Sequence, residues 1–172
     1  MIGFWKWFFI GSGAGPGIRR FFDIWFLVHF AVGVTASLVV PVSLKQAGIS
    51  LLLPLAGIFI GLSFAWGGNA QALLQTEEIK KLSAFRDGGY EEYIYTYQAA
   101  VLLILTTLVG WGIAGLGIFD QVWPTTSQGD IYHTLSAILF FLASVTLREC
   151  WHVVLGAQAL LLIKFKINGK ND

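Results

Sequence analysis

The sequence predicts an all-α integral membrane protein with four transmembrane helices. Hydrophobic residues make up 56% of the 172-residue chain and charged residues only 12%, whereas about a quarter of the residues in a soluble domain are charged. Four apolar runs reach the length of about 20 helical residues that is needed to cross a bilayer. The runs lack the alternation of barrel strands, and unpaired backbone groups have no partners in lipid, so the spans are predicted to be helices.

The first twenty residues are predicted to form an interfacial segment. MIGFWKWFFI is too short to span, and its aromatic residues around Lys6 are typical of a helix that lies in the membrane interface. GSGAGPG follows and is expected to be a flexible elbow. A phosphate-binding loop is disfavoured because no strand precedes these glycines and no Gly-Lys-Ser or Gly-Lys-Thr follows them.

The four spans are predicted at residues 21–42, 51–74, 97–119 and 133–163. The first connection is LKQAGIS, the second is the charged stretch 75–92, and the cytoplasmic tail is 164–172. All connections are short, so consecutive helices are expected to be antiparallel neighbours. Residues 1–172 are therefore predicted to form a single membrane domain.

The distribution of basic residues predicts the orientation. Nine of the ten Lys and Arg residues outside the spans fall on one side of this topology, and only Lys45 falls on the other. Because cytoplasmic loops carry an excess of Lys and Arg, both termini and the 75–92 connection are predicted to be cytoplasmic. The expected location is the plasma membrane, specifically the bacterial inner membrane.

The second and fourth spans share the pentapeptide AQALL. A shift of 87 residues aligns 51–74 with 138–161 without a gap and with eight identities in 24 positions. Both helices run in the same direction in the predicted topology, so a duplicated helical hairpin is one hypothesis. Chance similarity between two Leu- and Ala-rich helices is the other.

The fourth span carries Arg148, Glu149 and His152, which share one broad helix face. In one hypothesis the membrane part ends near Leu147, and helices two and four extend into the cytoplasm, where charges of the second extension meet Arg148 and Glu149. In the other, the three residues lie near mid-membrane and face the bundle interior or a wet cavity. That arrangement would suit ion passage, proton sensing or binding of a charged ligand.

Further polar and small residues are candidates for contacts between helices. The amides of Asn69, Gln71 and Gln158 are expected either to hydrogen-bond between helices or to line a pore, and Asp23 is expected to pair locally with Arg19 or Arg20. Small residues at four-residue spacing permit close helix approach, within one chain or between copies. They are Gly57, Gly61 and Ala65 on the second span and Gly110 and Ala114 on the third. Because four helices offer few neighbours to shield polar groups, we expect a homo-oligomer in membrane lipid.

Neither composition nor motifs indicate an enzyme. The histidines fall at different predicted depths without metal-ligand spacing, and no nucleophile elbow, HExxH or Walker sequence is present. We therefore predict no catalytic residues, no metal and no cofactor. The net charge of +1 gives no basic field for direct nucleic-acid binding.

Three functions are consistent with these features. The leading hypothesis is a sensor or scaffold that anchors a cytoplasmic protein through the charged connection and the tail. Its candidate partner-binding residues are Glu77, Glu78, Lys80, Lys81, Arg86, Lys164 and Lys166. The alternative is an oligomeric ion channel or pore lined by Arg148, Glu149 and His152 or by Asn69. A third hypothesis places such a scaffold in a bacterial anti-phage defence or stress-response system.

Overall fold

A computed structural model describes residues 3–11, 17–40, 42–76, 89–122 and 130–168. All regular structure in these ranges is helical, as predicted. A 3-10 turn, Gly17–Phe21, precedes α2, and a π-helical segment, Gly48–Leu52, joins α3 to α4. The α-helices are α1 (Phe4–Ile10), α2 (Ile24–Val39), α3 (Leu44–Ala47), α4 (Leu53–Leu74), α5 (Gly89–Gly115), α6 (Ile118–Val122) and α7 (Asp130–Asn168).

Three helical stretches in the described part of the chain are long and apolar enough to cross a membrane. They are Leu44–Leu73, Tyr93–Gly115 and Ile131–Lys166, and they overlap the predicted second, third and fourth spans. The first predicted span, 21–42, contains α2, whose 16 residues rise about 24 Å and fall short of a hydrocarbon core of about 30 Å. Three such helices indicate a membrane protein.

Local sequence explains why α2 is shorter than the predicted span. Asp23 has an extended backbone, and its side chain accepts a hydrogen bond from the Phe26 amide, so it caps the start of the helix. Val40 is also extended, and it precedes Pro41, which disfavours helical dihedrals in the residue before it. The predicted boundaries at residues 21 and 42 were therefore too wide.

The segment LKQAGIS, predicted as the connection between the first two spans, is helical. Leu44–Ala47 is helical with Ser43 as its cap, and the Leu53 amide donates to the Gly48 carbonyl in a π turn. Pro54 has no amide to donate to the carbonyl four residues earlier, and a π turn is a common way for a helix to absorb such a gap. Leu44 and Ala47 are buried, so packing also favours the helical form.

The ends of the later helices also differ from the prediction. α4 ends at Leu74, and Thr76 closes the end because its amide and its hydroxyl both donate to the Leu73 carbonyl. The hypothesis that helix two extends into the cytoplasm concerns residues beyond Leu74, and of these 77–88 lie outside the described residues. By contrast, α7 has 39 residues, about 58 Å at 1.5 Å per residue, which is longer than a bilayer core requires.

The chain divides into two compact units. One unit contains Met1–Phe22, Gly61–Val101 and Glu149–Asp172, and the other contains Asp23–Ile60 and Leu102–Arg148. We call them the charged-end unit and the polar-pair unit, after the contacts described below.

The core of the charged-end unit contains α1. Trp7 is fully buried and packs with Ala99, and its ring lies 5.4 Å from that of Tyr95. Gly17 has a φ of 59°, and a Cβ at this position would lie 2.3 Å from the Trp7 carbonyl oxygen. Glycine is thus required where the 3-10 turn meets the end of α1.

The core of the polar-pair unit is formed by residues of α3, α5 and α7, namely Leu44, Ala47, Trp111, Ala114 and Leu139. The Trp111 indole donates to the Leu139 carbonyl across 3.1 Å, which satisfies the one polar atom of this buried ring. Trp111 therefore fixes the contact between α5 and α7 by both packing and hydrogen bonding.

Candidate functional site

Glu149 is the most deeply buried charged group in the described part of the chain. Its side chain is 2% exposed, and its carboxylate accepts a hydrogen bond from Arg20 Nη2 at 3.1 Å. The Nδ1 atom of His152, one turn further along α7, lies 3.4 Å from the other carboxylate oxygen. Because a buried charge is stable only when it is paired and hydrogen-bonded, Arg20 is the group that allows Glu149 to lie inside this unit.

Arg148 pairs with Asp23 in the polar-pair unit. Both of its terminal nitrogens reach the carboxylate of Asp23, Nη1 at 3.1 Å from Oδ1 and Nη2 against Oδ2. The predicted local pair between Asp23 and Arg19 or Arg20 was therefore wrong. The two-pronged guanidinium of Arg148 matches both carboxylate oxygens of Asp23, while Arg20 is engaged by Glu149. Asp23 precedes the apolar helix α2, and the hydrogen bond from Arg148 holds the pKa of its carboxyl below the ordinary value of 3.8.

The polar-pair unit also contains hydrogen bonds between helices that the sequence analysis missed. Thr107 on α5 and Thr146 on α7 share one at 2.7 Å, and His29 on α2 meets the Ser144 hydroxyl at 2.7 Å. Ser and Thr residues at such positions are a known signal for interhelical contacts in membranes, although a weak one. With the Trp111–Leu139 bond, the α5 contacts move back along α7 as α5 advances, and the α2 contacts do the same from Asp23–Arg148 to His29–Ser144, so α2 and α5 both run antiparallel to α7.

The amides predicted to connect helices or line a pore lie elsewhere. Asn69 and Gln71 on α4 and Gln158 on α7 are all exposed on the outer surface of the charged-end unit. Hydrogen bonds between helices in the described chain are made by the Ser, Thr, His and Trp side chains named above and by Tyr132 on α7, whose hydroxyl accepts from the Leu44 amide on α3 at 3.0 Å.

Only part of the predicted small-residue pattern packs within the chain. Ala114 is fully buried, and a Cβ on Gly110 would lie 3.1 Å from Leu139. Gly57 and Gly61 have open space where a Cβ would be, and Ala65 is exposed. A close helix approach also occurs at Gly33, which the predicted pattern did not include although Ser37 follows it by four residues. A Cβ there would lie 2.7 Å from the Ala137 carbonyl oxygen.

The shared AQALL segments occupy equivalent positions in the charged-end unit. Ala70 and Ala157 are both fully buried, and Ser63 and Cys150, which the same shift of 87 residues relates, are both buried as well. Ser63 lies beside Cys150, and Leu73 and Leu161 line a common groove. These contacts show that α4 and α7 run parallel here, as the repeat hypothesis requires.

That groove is an open cavity of about 300 Å³ at the ends of α4 and α7. It is lined by Leu73, Leu161, Phe165 and Lys164. The predicted partner-binding residues Glu77, Glu78, Lys80, Lys81 and Arg86 lie outside the described residues. Lys164 and Lys166 belong to α7 and not to a separate tail, because the helix continues to Asn168.

The chain matches no protein-family model, no curated protein and no solved structure.

Proposed function

We propose that this chain is a homo-oligomeric four-span membrane protein that anchors or regulates a soluble cytoplasmic protein. In this proposal both termini and the 75–92 connection face the cytoplasm, and the protein resides in the plasma membrane, as in a bacterial inner membrane. The proposal also includes the role of a defence or stress sensor, in which the soluble partner carries out the response.

The directions of the helices support four crossings. In the polar-pair unit α2 and α5 run antiparallel to α7, and in the charged-end unit α4 runs parallel to it. Four consecutive spans require this alternation. Although α2 is short, a bilayer can thin locally around a short span.

The pairing of charges on α7 carries the proposal. Glu149 is engaged by Arg20 and His152, and Arg148 is held by both oxygens of Asp23. A conduction path needs charges that can exchange a partner for a passing ion. Arg148 and Glu149 are thus both paired, and Glu149 is also buried, which favours a structural role and supports the scaffold over the channel.

The ends of the chain supply surfaces for lipid and partner. Trp7 attaches α1 to the core, while Trp5 and Phe9 are 59% and 66% exposed, which suits insertion into a membrane interface. Lys166 is exposed on α7 and, with Lys80 and Lys81, forms the proposed basic docking surface for an acidic partner. On α4, the open positions at Gly57, Gly61 and Ala65 support contact between copies.

Affinity capture from native membranes tests the scaffold proposal. We expect a soluble protein to co-purify in fixed stoichiometry and to be released by Lys166→Glu or by Lys80→Glu with Lys81→Glu. Lys45→Glu is the matched control, because Lys45 lies on the opposite side in this topology. Equal capture by all these variants would contradict the proposed docking surface.

A flux assay distinguishes the channel alternative. The purified chain in liposomes is expected to carry no ion current above that of empty liposomes. A current that Glu149→Gln or Arg148→Ala alters in selectivity would replace the scaffold proposal with the pore.

A further inference from the structure

We propose that the groove between α4 and α7 binds an anionic phospholipid, with Lys164 pairing with the phosphate and the apolar wall holding part of an acyl chain. This inference requires the membrane insertion in the proposed function, but it requires neither the cytoplasmic partner nor the oligomer.

The lining of the groove matches an amphiphile. Leu73, Leu161 and Phe165 form the wall, and Lys164 is the charged group at its edge. Its volume of about 300 Å³ is at the lower end of the range for small-ligand sites. The groove is therefore suited to a segment of one acyl chain and not to a whole lipid.

The charge of Lys164 is unmatched within the described residues. No carboxylate in the described ranges lies within ion-pair distance of it, whereas Arg20 and Arg148 each have a partner. Lys164 is half-buried, but Lys166 is exposed. Two residues correspond to about 200° around a helix, so the two ammonium groups leave α7 in nearly opposite directions.

The position of Lys164 along α7 favours a lipid over a free anion as the ligand. Lys164 lies within the last turn of the stretch Ile131–Lys166 that is apolar enough to span, and the proposal places this end of the stretch at the headgroup layer. Phe165, beside it in the groove, is 84% exposed, and exposed apolar surface at this depth requires acyl chains to cover it. Basic pockets between helices on the cytoplasmic side are a known type of site for anionic headgroups.

Native mass spectrometry of the full chain in detergent tests the site with three probes: dioleoyl phosphatidylglycerol, dioleoyl phosphatidylcholine and inorganic phosphate. We expect phosphatidylglycerol to bind about fivefold more tightly than phosphatidylcholine, the preference that one lysine near a membrane surface provides. Lys164→Gln should abolish that preference, while Lys166→Gln, the matched control, should preserve it. Leu161→Gln should weaken both lipids.

Several results would overturn the proposal. If Lys164→Gln and Lys166→Gln reduce the preference for phosphatidylglycerol equally, the lipid is attracted by the general surface charge and not by the groove. If inorganic phosphate competes fully with the lipid, the site binds phosphate without an acyl chain. If Lys164→Gln releases a captured soluble protein and the wild type shows no preference for phosphatidylglycerol, the groove binds the protein partner and not a lipid. Because the lipid assay needs no partner, equal capture of the soluble protein by the wild type and by Lys166→Glu, with intact lipid preference, would refute only the scaffold.

Discussion

Removal of Arg20 tests the central contact of the charged-end unit. In Arg20→Ala the carboxylate of Glu149, 2% exposed, would remain buried without its main partner. Breaking a buried ion pair in this way costs about 3 to 5 kcal/mol. Arg20 itself is 19% exposed, so solvent already weakens the pair, and we expect about 3 kcal/mol. Loss of its contact with the Phe21 ring at 5.4 Å adds about 0.5 kcal/mol.

The sign of the stability change caused by a second substitution, Glu149→Gln, provides a sharper test. Glu149→Gln alone should cost only about 1 kcal/mol, because the amide still accepts a hydrogen bond and the freed guanidinium reaches solvent. In the Arg20→Ala background, Glu149→Gln should instead raise stability by about 2 kcal/mol, since it removes the unpaired buried charge. Stability is measured by reversible unfolding in mixed micelles with increasing denaturing detergent.

A neighbouring arginine provides the control for this comparison. Arg19→Ala is the matched control, because Arg19 is the neighbouring arginine and is exposed, and it should change stability by less than about 0.5 kcal/mol. If Glu149→Gln fails to recover stability in the Arg20→Ala chain, the proposed role of Arg20 is wrong.

Three further predictions follow from the described contacts. Gly33→Ala should lower the free energy of unfolding by about 1 to 3 kcal/mol in the same assay, since its Cβ would meet the Ala137 carbonyl oxygen at 2.7 Å. Gly112→Ala is the control, because Gly112 has open space around it, and it should not lower stability. Equal losses of stability in the two variants would contradict the packing at Gly33. Gly57→Ile with Gly61→Ile should leave the unfolding curve unchanged but reduce the particle mass in light scattering, whereas an unchanged mass would exclude this face as the contact between copies. Because Arg148 lowers the pKa of Asp23, the stability from their pair is fully present above pH 3.8 and is lost as the pH falls through the lowered value. The gap in melting temperature between wild type and Arg148→Gln should therefore narrow below pH 3.8, and a gap that widens in acid would refute the assignment.

The sequence by itself determined the helical class and the approximate positions of three long apolar helices. Composition and the length of apolar runs are sufficient for this, because lipid requires every backbone amide to be bonded within its own helix. Sequence also identified Arg148 and Glu149 as anomalous, since charges within an apolar helix need a specific partner. Local chemistry that it overlooked, such as the cap at Asp23 and the effect of Pro54, accounts for the errors at helix boundaries.

Only the tertiary structure decided which groups are partners. Arg20 and Glu149 are 129 residues apart, and Asp23 and Arg148 are 125 apart, whereas proximity in sequence favoured a pair between Asp23 and Arg19 or Arg20. Likewise, the glycine spacing identified Gly57 and Gly61, which have open space around them, whereas a close approach to backbone of another helix occurs at Gly33. The periodicity of a helix fixes which residues share a face, but the face that meets a neighbour depends on the packing of the other helices.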